Sequence, residues 1–99
     1  MIKIEWTQSA IADLTAIYEL IAEDSPRHAI GVVDRLTNRT IQLADFPESG
    51  HMVPEYQRDD IREVIEYSYR MLYHIDNATV SIVAVIHGAH PLPEALRKM

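Results

Sequence analysis

Tyr69-Arg70-Met71-Leu72-Tyr73-His74-Ile75, then Asp76-Asn77-Ala78-Thr79, then Val80-Ser81-Ile82-Val83-Ala84-Val85-Ile86 is the stretch that decides the fold. Two runs rich in aromatic and β-branched residues flank a polar turn, the pattern of a β-hairpin. With Asn77-Ala78 as the two-residue turn, Ile75 opposes Val80, Tyr73 opposes Ile82, Met71 opposes Ala84 and Tyr69 opposes Ile86. Every pair on that face is apolar or aromatic, and a slip of one residue scrambles the match. The other face then carries Arg70, Leu72 and His74 against Val85, Val83 and Ser81, with His87 diagonal to Arg70. One face is expected to pack on helices. The second is expected to be partly open and to hold Arg70 and His87 together. An arginine and histidines set into an apolar sheet call for partners or a function, because burying charge is costly.

Working outward, the segment that opens at Ile61 reads as a strand and a tight turn before this hairpin, and the third strand runs out into His87-Gly88-Ala89-His90. At the other end, Ile2-Lys3-Ile4-Glu5-Trp6 alternates apolar and polar residues, as a half-buried strand does. Thr7 or Ser9 caps the helix that follows. Its expected core stripe is Ile11, Leu14, Tyr18 and Ile21, with Ile17 beside it. Asp24-Ser25-Pro26 ends this helix and opens the next, with Ser25 as cap and Pro26 at the first helical position. The second helix carries Ala29, Val33, Leu36, Thr40 and Leu43 on one face and is expected to end near Asp45. So short a link makes the two helices an antiparallel hairpin. Pro47 to Asp60 is a loop punctuated by Pro47, Gly50 and Pro54, with a short extended piece near His51-Met52-Val53.

The chain has 99 residues, enough for one domain spanning 1–99. Its apolar content of 47% is that of a globular protein. There is no cysteine, which excludes disulfides, thiolate nucleophiles and cysteine-based zinc sites. The net charge is -6, with four basic and eight acidic residues in 1–50 and five and seven in 51–99. A global basic footprint for nucleic acid is therefore lacking. No apolar run reaches the roughly 18 residues of a membrane span, and Met1 to Trp6 lacks a signal-peptide layout. The expectation is a cytoplasmic protein without a membrane partner.

Several motifs in order resemble the ParE/RelE superfamily of bacterial type II toxins. They are Ala12-Asp13-Leu14, Ser25-Pro26 with Ala29, Pro47-Glu48-Ser49-Gly50 and Val53-Pro54-Glu55. Ile61-Arg62-Glu63, Tyr69-Arg70-Met71-Leu72-Tyr73 and Val85-Ile86-His87-Gly88 complete the set. Each is weak alone; their order and spacing cover nearly the whole chain. The resemblance implies an α+β fold. An N-terminal strand and an antiparallel helical hairpin would pack on a twisted, mostly antiparallel sheet of about four strands. It also implies a cognate antitoxin, ParD-like or RelB-like, held in a hetero-oligomer.

Two activities follow from the resemblance, and they make different demands. RelE-like members cut mRNA on the ribosome, which needs a base, an acid and cations for the developing phosphorane charge. Arg70 matches the family's strand arginine. His90 stands where a second family arginine follows the last strand, and the loop 50–60 offers only His51 and Arg58 in place of the family's lysines. The candidate nuclease set is Glu55, Arg70, His87 and His90, without the C-terminal tyrosine. ParE-like members bind and poison DNA gyrase and need no catalytic set. Val53-Pro54-Glu55, Ile61-Arg62-Glu63 and the final His-Gly follow the ParE pattern more closely. A third reading is a non-toxic, antitoxin-binding module, since His90 is mostly neutral at pH 7 where an arginine is expected.

Trp6, Ile30, Thr37 and Ile41 are the candidate antitoxin contacts, from the first strand and an apolar helical face outside the core stripe. Arg62, flanked by Asp59, Asp60, Glu63 and Glu66, is expected to form salt bridges. Arg70 can pair with Glu63 or Glu66 across the strands. His74 reads as solvated, and Tyr69 and Tyr73 as core. No cofactor is implied. No metal site is expected either, because His87 and His90 lack further ligands at fixed spacing.

Overall fold

The computed structural model describes residues 2–88 and 90–92. The chain begins with β1 (Lys3–Trp6), α1 (Gln8–Ala22) and α2 (Pro26–Ile41), and a 3-10 turn (Gln42–Ala44) extends α2. The strands β2 (His51–Met52), β3 (Ile61–Glu66), β4 (Tyr69–Asp76) and β5 (Thr79–His87) follow. They form a five-stranded sheet in the order β1-β5-β4-β3-β2. β1 runs parallel to β5, and the other pairs are antiparallel. The α+β architecture is the expected one. The sheet has five strands rather than about four because the short piece at His51-Met52 pairs with Glu63 and Arg62 of β3.

The caps form as the sequence dictates. The Thr7 hydroxyl oxygen accepts the Ala10 N–H at 3.1 Å, and the hydroxyl donates to the Ile82 carbonyl of β5 at 3.1 Å. One residue thus ends β1, starts α1 and ties both to the sheet. Ser25 caps α2 by accepting the His28 N–H at 3.1 Å, with Pro26 at the first turn.

The last hairpin keeps the expected register from its turn to Tyr73↔Ile82, then departs from it. A β-bulge between Leu72 and Tyr73 leaves Val83 extra on β5. Beyond it Leu72 opposes Ala84, Met71 opposes Val85, and Tyr69 opposes His87, not Ile86. The faces of residues 84–87 are therefore exchanged relative to the sequence expectation. Val85 joins Val64, Met71, Tyr73, Val80 and Ile82 under the helices, with Ala10, Val32, Leu36 and Leu43. Ala84 and Ile86 join Leu72, Ile61, Val53 and Tyr56 on the other face, beneath the loop that follows β2. The expectation of a partly open second face is corrected accordingly: an apolar cluster of its own lies there. The run Ile82 to Ile86 is apolar at every position, so alternation cannot pin its parity, and two buried faces select the bulge.

The stripe on α1 also turns. Leu14, Ile17 and Ile21 face the core with the fully buried Ala10, but Ile11 is 50% exposed and Tyr18 36%. Apolar residues sit on nearly every side of α1, so periodicity alone did not select its inner face. On α2 Ala29, Leu36 and Thr40 are buried as expected, but Val32 joins them in place of Val33, which faces Leu14, Thr15 and Tyr18 across the helix pair.

Tyr73 anchors the loop after α2. Its hydroxyl donates to the Pro47 carbonyl at 2.7 Å and accepts the Gly50 N–H at 3.0 Å. Burial holds the phenol above its ordinary pKa. A Cβ on Gly50 would lie 2.5 Å from the Glu63 carbonyl and from the Tyr73 hydroxyl, so no side chain fits. Arg62 closes the same corner by donating to the carbonyls of Asp59 (3.1 Å) and Gly50 (3.1 Å). It was expected to bridge carboxylates; it is structural, but its partners are backbone oxygens. Among the described residues no helix is long and apolar enough to cross a membrane.

Candidate functional site

Ionic pairs gather on the loop-covered face of the sheet and aromatic rings at the end of its helix-covered face. On the loop-covered face, β3 and β4 bring Glu63 and Arg70 together, and the loop adds Glu55. Arg70 Nε donates to Glu63, while its two terminal nitrogens donate to the two Glu55 oxygens at 2.8 and 3.0 Å. Glu63 is 5% exposed, so this guanidinium and not water is the partner of its carboxyl group. The bidentate bond to Arg70 lowers the Glu55 pKa, and the same carboxylates raise that of Arg70. One guanidinium thus faces two carboxylates, and the cluster carries net negative charge. Such a cluster repels a phosphate.

A second ionic group closes the same loop. Arg58 donates to both Asp60 oxygens at 3.0 and 2.7 Å, and His74 Nε2 lies 3.0 Å from Asp60 Oδ2. Arg58 above all, with help from His74, lowers the Asp60 pKa. The Asp60 carbonyl accepts the Ile75 N–H at 2.8 Å. His74, read as solvated, is instead a partner of this loop.

On the helix-covered face, alongside Asp13 to Leu20 of α1, β5 ends in an aromatic corner. The ring of His87 meets Tyr69 edge-on at 5.8 Å and His90 at 5.7 Å. These rings and Ala16, Ile17 and Leu20 of α1 line a groove of about 390 Å³. Asp13, a motif residue with no role assigned from sequence, fixes α1 there. Its carboxylate accepts the Val85 N–H at 3.0 Å, just past the bulge.

The candidate nuclease residues therefore form two pairs. Glu55 and Arg70 meet, and His87 and His90 meet, but the sheet lies between the pairs. The expected juxtaposition of Arg70 and His87 on one face does not occur, because the bulge moves His87 to the helix side. Among the candidate antitoxin contacts, Ile30 and Ile41 are exposed along α2, and Trp6 is half-buried against the core. The half-buried Thr37 donates its hydroxyl back to its own helix, to the carbonyls of Val33 and Asp34 at 3.0 Å. Sequence reasoning missed Leu20, which is 67% exposed on α1. Its signal was an apolar residue outside any stripe the core needs. Among the described residues no group of three or more His, Asp or Glu side chains converges to hold a metal ion.

The family described as the ParE toxin of the type II toxin–antitoxin system parDE matches residues 4–91. A protein named Toxin RelE2, from Caulobacter vibrioides, is 34% identical over 89 residues, covering 90% of this chain and 98% of the relative. The structure titled "Chromosomal ParDE TA system from P. aeruginosa" superposes with a TM-score of 0.73 at 20% identity. That match covers 88% of this chain and 96% of the other.

Proposed function

The chain belongs to the ParE toxin family of type II toxin–antitoxin systems, and on that premise we propose that it inhibits growth by binding DNA gyrase. A cognate antitoxin holds it inactive, and cytoplasmic DNA–enzyme complexes are its field of action. One observation carries this reading against RNA cleavage: the two residue pairs a nuclease would combine lie on opposite faces of the sheet. Arg70 is moreover occupied by two carboxylates, whereas a cleavage site needs cations open to the phosphate. A poison that acts by binding needs neither.

Trp6, Ile30 and Ile41, with Thr37 between them, are proposed to contact the antitoxin. Ile30, Thr37 and Ile41 recur at helical spacing on α2, Ile30 and Ile41 exposed and Thr37 half-buried between them. Charge substitutions there are expected to weaken the complex.

The cellular test is induction of the chain without its antitoxin. A DNA-damage response with intact transcripts supports the gyrase reading. Cleavage of mRNA within codons overturns it in favour of a ribosome-dependent nuclease. Unimpaired growth overturns it in favour of a non-toxic, antitoxin-binding module.

A further inference from the structure

Two tight turns join β3 to β4 and β4 to β5, and both set their first residue at positive φ: Tyr67 at 56° and Asn77 at 44°. Such positions favour Gly, Asn and Asp, because a Cβ there crowds the backbone. Asn77 obeys this rule and Tyr67 does not. The core gives no reason for the tyrosine: it belongs to neither apolar cluster and is 49% exposed. Backbone strain of this kind gathers where a side chain is used. The ring is also held in place. The Arg35 guanidinium of α2 lies over it, 4.9 Å from its centre. The same guanidinium is 3.9 Å from Glu66, beyond hydrogen-bond reach. Arg39, one turn further along α2, donates to the Gln42 side-chain oxygen, and Arg62 of β3 donates to backbone carbonyls. Of these three arginines only Arg35 has a carboxylate within 4 Å among the described residues. Beside them the sheet edge is open. β2 pairs only with Arg62 and Glu63, so among the described residues Val64 to Glu66 have no strand outside them, and Ile65 is exposed there.

We infer that Tyr67 and Arg35, with Ile65, Arg39 and Arg62 around them, form the surface by which this chain grips its target enzyme, and that the matching patch on the target is acidic. The inference rests on the gyrase reading above and gives that binding a place and a chemistry. Tyrosine and arginine are the side chains that most often anchor an interface, since each brings a large contact area and a polar tip. Their mutual contact orders both in advance, so less side-chain freedom is lost on binding. Arginines held only by neutral acceptors, on a chain of net charge -6, supply local charge complementarity to carboxylates. The helical repeat sets Arg35 and Arg39 on the opposite side of α2 from Ile30, Thr37 and Ile41. Target and antitoxin therefore use separate sides of that helix.

The test titrates the purified, antitoxin-free chain into a gyrase supercoiling assay, as wild type, Tyr67→Asn and Arg35→Gln. Melting curves and affinity for the cognate antitoxin are measured for each. Both positions are exposed. Wild type is expected to inhibit, and each variant to need about tenfold more protein or above for the same inhibition. Tyr67→Asn is expected to melt no lower than wild type, because asparagine suits a positive φ, so its lost inhibition is not lost folding. Antitoxin affinity is expected to stay unchanged in both. Wild-type potency in both variants overturns the inference and leaves the gyrase reading standing. Weakened antitoxin binding with inhibition intact assigns the surface to the antitoxin and overturns it. A lower melting temperature in Tyr67→Asn, with inhibition falling only as the folded fraction falls, makes the tyrosine structural and overturns it too. Failure of wild type to inhibit overturns the gyrase reading and this inference with it.

Discussion

The two faces of the sheet treat charge in opposite ways. On the loop side, Arg70, Glu55 and Glu63 pair with one another, as Arg58, Asp60 and His74 do. On the helix side, Glu19, Glu23 and Asp24 ring the exposed Leu20 and form no ion pair among the described residues. Paired charges hold a loop over an apolar cluster, so they serve the fold. Acids at a helix end that disfavours them, without an ion pair among the described residues, are not expected to stabilise the fold. Charged residues are therefore informative by their partners and not by their number.

The contrast is most easily broken at Arg70. Replacing it with alanine strands Glu63 in a buried site and is expected to destabilise the fold by about 3 kcal/mol. Chemical denaturation measures this, and a loss under 1 kcal/mol would mean that the cluster is not structural. Replacing Arg70 and Glu63 together with Met and Leu is expected to recover most of the loss.

Tyr73→Phe comes next. It leaves the Gly50 N–H and Pro47 carbonyl without their partner, at a cost of about 1–3 kcal/mol by denaturation. It also changes the alkaline limb. The folded phenol has a raised pKa, so its contribution is complete below about pH 10 and is lost as pH rises through the folded value. Wild type is expected to lose stability there more steeply than the variant.

Asp60→Asn probes the acid limb. The Asp60 pKa is lowered in the folded state, so its contribution is present above about pH 4 and is lost as pH falls through the folded value. The carboxylate is partly exposed, which limits the effect to below about 1 kcal/mol at neutral pH. The variant is expected to show a shallower decline on acidification, followed by thermal melts from pH 6 to pH 2.

The smallest expected effect sharpens the contrast most. Glu19→Lys/Glu23→Lys is expected to leave stability unchanged or raise it by a few tenths of a kcal/mol, since cations suit that helix end. A clear loss in melting temperature would show that these acids serve the fold after all.

Much of this was legible in the sequence. Ser25 and Pro26 marked the start of the second helix by local chemistry, Thr7 was one of two caps open for the first, and Asn77-Ala78 marked the hairpin turn. Cross-strand geometry offered Glu63 or Glu66 as the partner of Arg70, and the structure selects Glu63. What escaped was set by tertiary context. The parity of Ile82 to Ile86 is undetermined when both faces are apolar, so the bulge and the new side of His87 were invisible. The inner face of α1 was hidden by apolar residues all round. Arg62 found backbone carbonyls, which every residue carries and no sequence pattern marks. Glu55 reached Arg70 because of a loop path that its own residues do not encode.

The central claim is that this chain acts by binding and not by cutting. Plasmid supercoiling by DNA gyrase, assayed with the purified, antitoxin-free chain, tests it most directly. Supercoiling is expected to be inhibited as the chain is added, and Arg70→Met/Glu63→Leu, with its loop face repacked, is expected to inhibit equally. Gyrase unaffected at all concentrations, with translated mRNA cut under the same conditions, would contradict the account.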